Sequence, residues 1–258
     1  GAFENFATAT PLLVDEFFQP AAFWGRGGLG SNVVMAGGNS RQTGGNTNYS
    51  ETTNNRFVIV TGAINALGDI STLSISQAPF SNPGASILIS APGSNVESTS
   101  HIVMNDQGSI FGSDLANVQG TSFATPIVSG VIALMLEANP DLGYRDVQQI
   151  LALSARKVND NSTDLVYNAA TNWNGGGMHV SHDYGFGDVD ARAAVRLAET
   201  WYTTHITDNE RHLTHAEGTL LSGGVQLERG DCGRIGRDED PVDWGRHPCR
   251  ACRCDGRS

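Results

Sequence analysis

The sequence predicts an α/β fold with a mostly parallel sheet. Two observations carry that expectation. Residues 32–36 and 57–63 are short, near-continuous apolar runs, the pattern of strands covered on both faces. Stretches with helical periodicity follow, from the serine at 122 to about residue 138, over 144–155 and over 189–201. A chain of 258 residues has room for one large α/β domain, or for one domain and part of another.

Taken in order, Thr10-Pro11 reads as a cap and first-turn proline for a helix running through Leu12, Leu13, Phe17 and Phe18. Pro20 should kink or restart that helix, and the glycines between 25 and 30 should end it. After the first strand, residues 41–55 are polar and rich in Gly, Asn and Thr, as in a surface loop. A further strand pair is expected around Leu73 and at 87–90, with turns at Pro79, Asn82, Pro83 and Gly84. Asn139-Pro140-Asp141 should stop the helix that begins near Ser122. The next helix places Val147, Ile150, Leu151 and Leu153 on its apolar face. Residues 159–177 form a long polar loop, and the helix over 189–201 closes the domain.

The chemistry is concentrated in Gly120-Thr121-Ser122-Phe123-Ala124-Thr125-Pro126. A serine flanked by small residues enters an apolar helix, where unpaired N–H groups and the positive dipole end face any anion forming at the hydroxyl. Ser or Thr before an apolar run is also a common helix cap, so this stretch alone is ambiguous. Gly120 permits close approach of a ligand to the backbone, and Pro126 suits a first helical turn. Far upstream, Val33-Val34-Met35-Ala36-Gly37-Gly38-Asn39 reads as a buried strand ending in two glycines and an amide.

Together these motifs resemble the subtilisin-like serine proteases, whose nucleophile motif is Gly-Thr-Ser-x-Ala-x-Pro. The resemblance extends through Ser90-Ala91-Pro92-Gly93 and Tyr184-Gly185-Phe186-Gly187-Asp188-Val189-Asp190-Ala191, over about residues 10–201. Val180-Ser181-His182-Asp183-Tyr184-Gly185 and Ala198-Glu199-Thr200-Trp201 look most like the kexin-type, proprotein-convertase-like branch. The resemblance implies a three-layer subtilisin-like fold, with Ser122 as nucleophile and Asn39 as side-chain donor to the oxyanion. It implies substrate-binding roles for Gly37 and Gly38, which would leave room for an extended polypeptide. It allows a structural calcium ion while requiring no cofactor for the chemistry, and it suggests a secreted or cell-surface protein followed by a β-sandwich domain.

The family's base is a His followed by Gly-Thr and its carboxylate an Asp followed by Gly or Ser, both ahead of the asparagine strand. No histidine precedes Asn39, and Asp15 lies in a helical pattern. The chain therefore reads as a fragment lacking both motifs and its N-terminal strands, with no initiator methionine or signal peptide, and inactive by itself. His101, His179, His182, His205, His212 and His215 are read as structural. The alternative is a non-catalytic binding or scaffold relative that has lost its triad, against which the joint presence of Ser122 and Asn39 argues. An α/β-hydrolase would want Gly-x-Ser-x-Gly, which Gly120-Thr121-Ser122-Phe123-Ala124 does not match.

The net charge of -11 disfavours nucleic acid as a partner. The apolar run over 127–136 is too short for a membrane span. All four cysteines lie at or beyond Cys232, so the body carries no disulfide, and Cys249 and Cys252 lack a matching pair for zinc. The expected organisation is a peptidase-domain part over 1–201, a linker or start of a β-sandwich over 202–228, and an arginine- and cysteine-rich tail over 229–258 that is disordered or off-frame.

Overall fold

A computed structural model describes residues 14–69, 78–101, 103–104, 110–158, 166–167 and 178–202. The chain divides into two compact units, 1–211 and 212–258, and every described residue lies in the first. The expected cap at Thr10-Pro11, the strand around Leu73, most of the 159–177 loop and the expected linker and tail lie outside the described residues.

A parallel three-stranded sheet forms the centre, in the order β1 (Val33–Ala36), β2 (Val58–Ile64), β3 (Ile87–Pro92). All seven residues of β2 are buried, as a central strand of a covered sheet requires. β1 departs from the expectation: its four residues are only half-buried, because it pairs on one side alone among the described residues. The β2–β3 register shifts at Val60/Thr61, leaving Leu88 as a bulge. The bulge puts Ile87 and Ile89 on opposite faces, Ile87 with Val58 and Val60, Ile89 with the main helices.

One face of the sheet carries the N-terminal helical segment. A π-type turn over Val14–Phe18 leads into α1 (Gln19–Trp24), with Pro20 at its start. The expected restart at Pro20 is thus what the chain does, because a proline in the first turn forfeits no intrahelical bond. The other face carries α2 (Thr121–Ala138), α3 (Tyr144–Ser154) and α4 (Ala191–Glu199). Ala124, Val128, Val131, Ile132 and Met135 of α2 are buried at helical spacing against Ile59, Ala63, Ile89 and Ala91. Val147, Ile150 and Leu151 complete that core, whereas Leu153 is 45% exposed and does not belong to the packed face.

Two further expectations change. Pro126 is the sixth residue of α2, beyond the first turn, and removes one backbone donor inside the helix. Among the described residues α2 is also long and apolar enough, by length and composition, to cross a membrane, so an argument from the 127–136 run alone is too strict. Its contacts with β1, β2, β3 and α4 make it the core helix of this unit.

Polar ties fix the helices. Asp146 is fully buried. Its Oδ2 accepts from the Gly143 N–H (2.8 Å) and its Oδ1 from the Trp201 indole N–H (3.0 Å), joining the start of α3 to the segment after α4. Asn139 stops α2, as expected, and its side chain donates to Ala198 O (3.0 Å). Small antiparallel pairs complete the unit: β4 (Val96–Thr99) with β7 (Leu115–Val118), β5 (Val103–Met104) with β6 (Ile110–Phe111), and β8 (Val166–Tyr167) with β9 (His179–Val180).

Candidate active site

The carboxyl ends of the three central strands meet at the N-terminus of α2. Gly37, just past β1, donates to Thr61 O of β2 (2.9 Å). Gly93, just past β3, donates to Ile64 O (2.9 Å) and accepts from the Gly120 N–H (2.8 Å). Gly120 caps α2 with φ +140°, a conformation that a side chain disfavours. This chain of backbone bonds delivers Ser122, the second helical residue, to the sheet's carboxyl edge with its side chain exposed. Sites gather at that edge in open α/β sheets because loops and helix N-termini converge there.

The asparagine at the end of β1 arrives at the same place. Asn39 Oδ1 accepts from the Thr121 N–H (2.9 Å) and from the Thr121 hydroxyl (3.0 Å). The Thr121 hydroxyl in turn accepts from the Gly38 N–H (3.1 Å), and Thr121 is fully buried. With its oxygen held by two donors, the Asn39 carboxamide has one orientation open to it, and Nδ2 has no partner among the described residues. Where a Cβ of Gly120 would stand, Nδ2 is 3.2 Å away and the Ser122 backbone nitrogen 3.7 Å away. Two donors, one from each distant motif, therefore border a single small space beside the serine. The first turn of α2 contains no acidic residue to offset its positive end.

Gly37 and Gly38 also meet a demand from within the protein. A Cβ on Gly37 would press on Thr61 O at 3.1 Å, and one on Gly38 would stand 2.4 Å from Asn82 Nδ2. Gly38 also has φ +98°. Packing within the protein and the turn that aims Asn39 thus favour glycine at both positions. Asn82, read from the sequence as a turn residue, is 7% exposed and bonded to this turn from both sides. Residues 41–55 are likewise not a plain surface loop, since Thr47 and Thr53 are buried and two short 3-10 turns lie within it.

Ser122 Oγ has no hydrogen-bond partner among the described residues. His101 is exposed. The His182 carbonyl accepts from the Gly84 N–H (2.8 Å), and His179 lies on β9, where burial and then Lys157 hold its imidazole below the ordinary value. None of the three bonds to Ser122. Asp188 is pushed above the usual carboxylate range by burial, against the opposing pull of Arg156, with which Oδ2 pairs.

A calcium ion takes about six to eight oxygens, several from carboxylates. In the loop over 46–51 three side-chain oxygens each accept one hydrogen bond: Asn46 Oδ1 from Asn48 N–H (2.9 Å), Asn48 Oδ1 from Ala85 N–H (2.8 Å), Thr47 Oγ1 from the Ser86 hydroxyl (2.7 Å). Among the described residues no group of three or more His, Cys, Asp and Glu converges. Glu51 is the one carboxylate of this loop.

Residues 13–187 match the peptidase S8 model, described as the subtilase family. The chain belongs to the subtilase family. Curated relatives include Furin-1 of Xenopus laevis, 31% identical over 74% of this chain and 22% of its own length. Endoprotease bli of Onchocerca volvulus is 32% identical over 84% of this chain and 29% of its own length. Proprotein convertase subtilisin/kexin type 4 of Homo sapiens is 32% identical over 75% of this chain and 23% of its own length. The kexin-type branch of the subtilases fits these relatives, and the chain spans less than a third of each. Among solved structures, the serine protease of Aeromonas sobria superposes with a TM-score of 0.57 at 23% identity, covering 74% of this chain and 40% of that one. That likeness establishes the subtilisin-like three-layer fold of this subtilase chain.

Proposed function

We propose that this subtilase chain carries the nucleophile and the oxyanion donors of a serine endopeptidase acting on polypeptides. The observation that supports this most is the Asn39 carboxamide, pinned through Oδ1 by Thr121 so that Nδ2 and the Ser122 N–H border one space. In the reaction Ser122 Oγ attacks the scissile carbonyl and its proton passes to a base. The carbonyl oxygen becomes an anion that the two N–H groups stabilise, the amine departs with a proton, and water releases the acyl group by the same steps in reverse order. Removal of one such donor costs about 2.7–4 kcal/mol in kcat, the magnitude measured in a subtilisin itself.

A serine hydroxyl needs a base to be a nucleophile near neutrality. No histidine precedes Asn39 in this sequence, and Ser122 Oγ is without a bonded base among the described residues. The 258-residue polypeptide by itself is therefore proposed to be inactive, since losing triad members costs about four to six decades in turnover. A secreted or surface location, and a following β-sandwich domain, belong to the same reading. The unpaired Oγ equally suits a non-catalytic binding relative, and one experiment separates the two. Internally quenched peptides are offered to the 258-residue chain and to the product of the gene's whole reading frame, each with and without Ser122→Ala. The enzyme reading expects saturable turnover by the longer product alone, lost with Ser122→Ala. Saturable, Ser122-dependent cleavage by the 258-residue chain overturns its inactivity. A longer product that cleaves equally well with Ser122→Ala, or that never cleaves, overturns the assignment.

A further inference from the structure

We propose that Asn82 is a positioning residue for the reaction, setting the direction of the Asn39 donor from beneath. The inference rests on the reading of Asn39 as an oxyanion donor. The side chain of Asn82 grips the turn on both sides of Asn39. Its Nδ2 donates to Gly37 O (3.1 Å), and its Oδ1 accepts from the Ser40 N–H (2.8 Å) and the Ser40 hydroxyl (3.3 Å). Its backbone N–H donates to Gly38 O (2.9 Å). Links at residues 37, 38 and 40 thus leave Asn39 as the one residue of 37–40 that Asn82 does not hold. Asn39 itself is exposed; Thr121 holds its Oδ1, and the turn sets the backbone from which the side chain reaches it.

The fit around Asn82 leaves little slack. A Cβ on Gly38 would meet its Nδ2 at 2.4 Å, and a Cβ on Gly45 would meet its Oδ1 at 2.6 Å. Asn82 is 7% exposed, so its amide works where water competes poorly and an unmade bond is costly. The element that carries it is anchored independently. The Ser81 hydroxyl accepts from Ala63 N–H of β2 (3.1 Å), and Gly84 N–H donates to His182 O (2.8 Å). Asn82 therefore transmits the rigidity of the sheet to a turn that has no sheet partner of its own beyond Gly37. Misplacing a reacting group by about 1 Å costs up to about 100-fold in rate, so a looser turn weakens a donor that remains chemically present.

Two measurements test this. The first uses the 258-residue chain and reads hydrogen exchange at the Thr121 N–H, which bonds Asn39 Oδ1 and touches nothing on Asn82. Asn82→Ala is expected to lose protection at Thr121, as Asn39→Ala does, while the core amides of Ile59 and Val147 keep theirs. Should the core amides also lose protection, the comparison passes to Asn82→Asp, which keeps the acceptor for Ser40 N–H and sets a carboxylate oxygen in place of the donor to Gly37 O. Unchanged Thr121 protection in a folded Asn82 variant overturns the inference. The second uses the catalytically competent gene product. Asn82→Ala should lower kcat about 10- to 100-fold with KM nearly unchanged, and should add nothing in an Asn39→Ala background. Equal losses in both backgrounds overturn the inference, marking Asn82 as merely structural. If Ser122→Ala leaves the hydrolysis intact, the functional reading is what fails, and the exchange measurement still decides the role of Asn82.

Discussion

Thr121→Val isolates the hydroxyl that joins the two halves of the site. Valine has nearly the same shape, but the swap is not conservative where the hydroxyl is bonded on both sides. Here it accepts from the Gly38 N–H at 3.1 Å and donates to Asn39 Oδ1 at 3.0 Å, on a residue with no exposed surface. A methyl group in its place leaves the Gly38 N–H without an acceptor, at about 1–3 kcal/mol, and loses a hydrogen bond worth about 0.5–1.5 kcal/mol. Burial of the added methyl returns about 0.8 kcal/mol. The expected loss of stability is about 1–4 kcal/mol, read as a shift in the urea midpoint by tryptophan fluorescence at unchanged slope. Thr121→Ser keeps both bonds and loses only a buried methyl, so it should cost about 1 kcal/mol. Since the Thr121 N–H still holds Asn39 Oδ1 at 2.9 Å, the Asn39 amide keeps one of its two anchors in the valine variant. A valine variant as stable as the parent, or a serine variant as damaged as the valine one, refutes the linkage.

Gly38→Ala should cost about 1–3 kcal/mol, because φ is +98° and the new methyl meets Asn82 at 2.4 Å; chemical denaturation measures it. Arg41→Met removes the partner of Asp183, which is 4% exposed, and should destabilise by somewhat less than the about 3–5 kcal/mol of a fully buried pair, since Arg41 is itself 27% exposed. Ile150→Ala, at a fully buried site between α3 and the sheet, should cost about 2–5 kcal/mol in the same assay. The lowered imidazole of His179 means that the unfolded chain takes up this proton first as pH falls. Its contribution is complete above about pH 6.5 and is lost as pH falls from there toward the folded value. His179→Gln should flatten that part of the stability profile, and an unchanged profile would assign the slope to other groups.

How much of this was legible in the sequence depends on the range of the interactions that fix each part. Strand β2 and helices α2 and α3 follow from local periodicity, and their bounds fall within a residue or two of the expected ones. Ser122 and Asn39 were legible because the motifs around them contain special residues at fixed spacing. The half-burial of β1, the bulge at Leu88 and the exposure of Leu153 are tertiary outcomes, set by which neighbours cover each position. Asn82 was read as a turn former, which any Asn before Pro-Gly suggests. Its partners at residues 37 and 40 lie more than 40 positions upstream, and nothing in local composition announces them. Thr121 was visible as a motif residue, but its double bonding to Gly38 and Asn39 required the fold.

The arrangement also separates two chemical demands that a serine nucleophile makes. Stabilising a developing oxyanion depends on donors that are already aimed, because donors that must reorient during the reaction lose most of their advantage. In the proposed site that demand falls to short segments, 37–45, 80–84 and 120–123, tied to one another and to the sheet by bonds among neutral groups and by the Arg41 guanidinium on Ser81 O (3.4 Å). Removal of the serine proton is a separate demand, and it falls on a titratable group that need not share those bonds. Of the polar groups at this edge, the ones that fix Asn39 are amides and hydroxyls, none of which titrates in the range where a histidine base would change charge. The hydrogen bonds that aim the proposed donors therefore carry no group that titrates across that range, and the pH dependence of turnover is expected to follow the base.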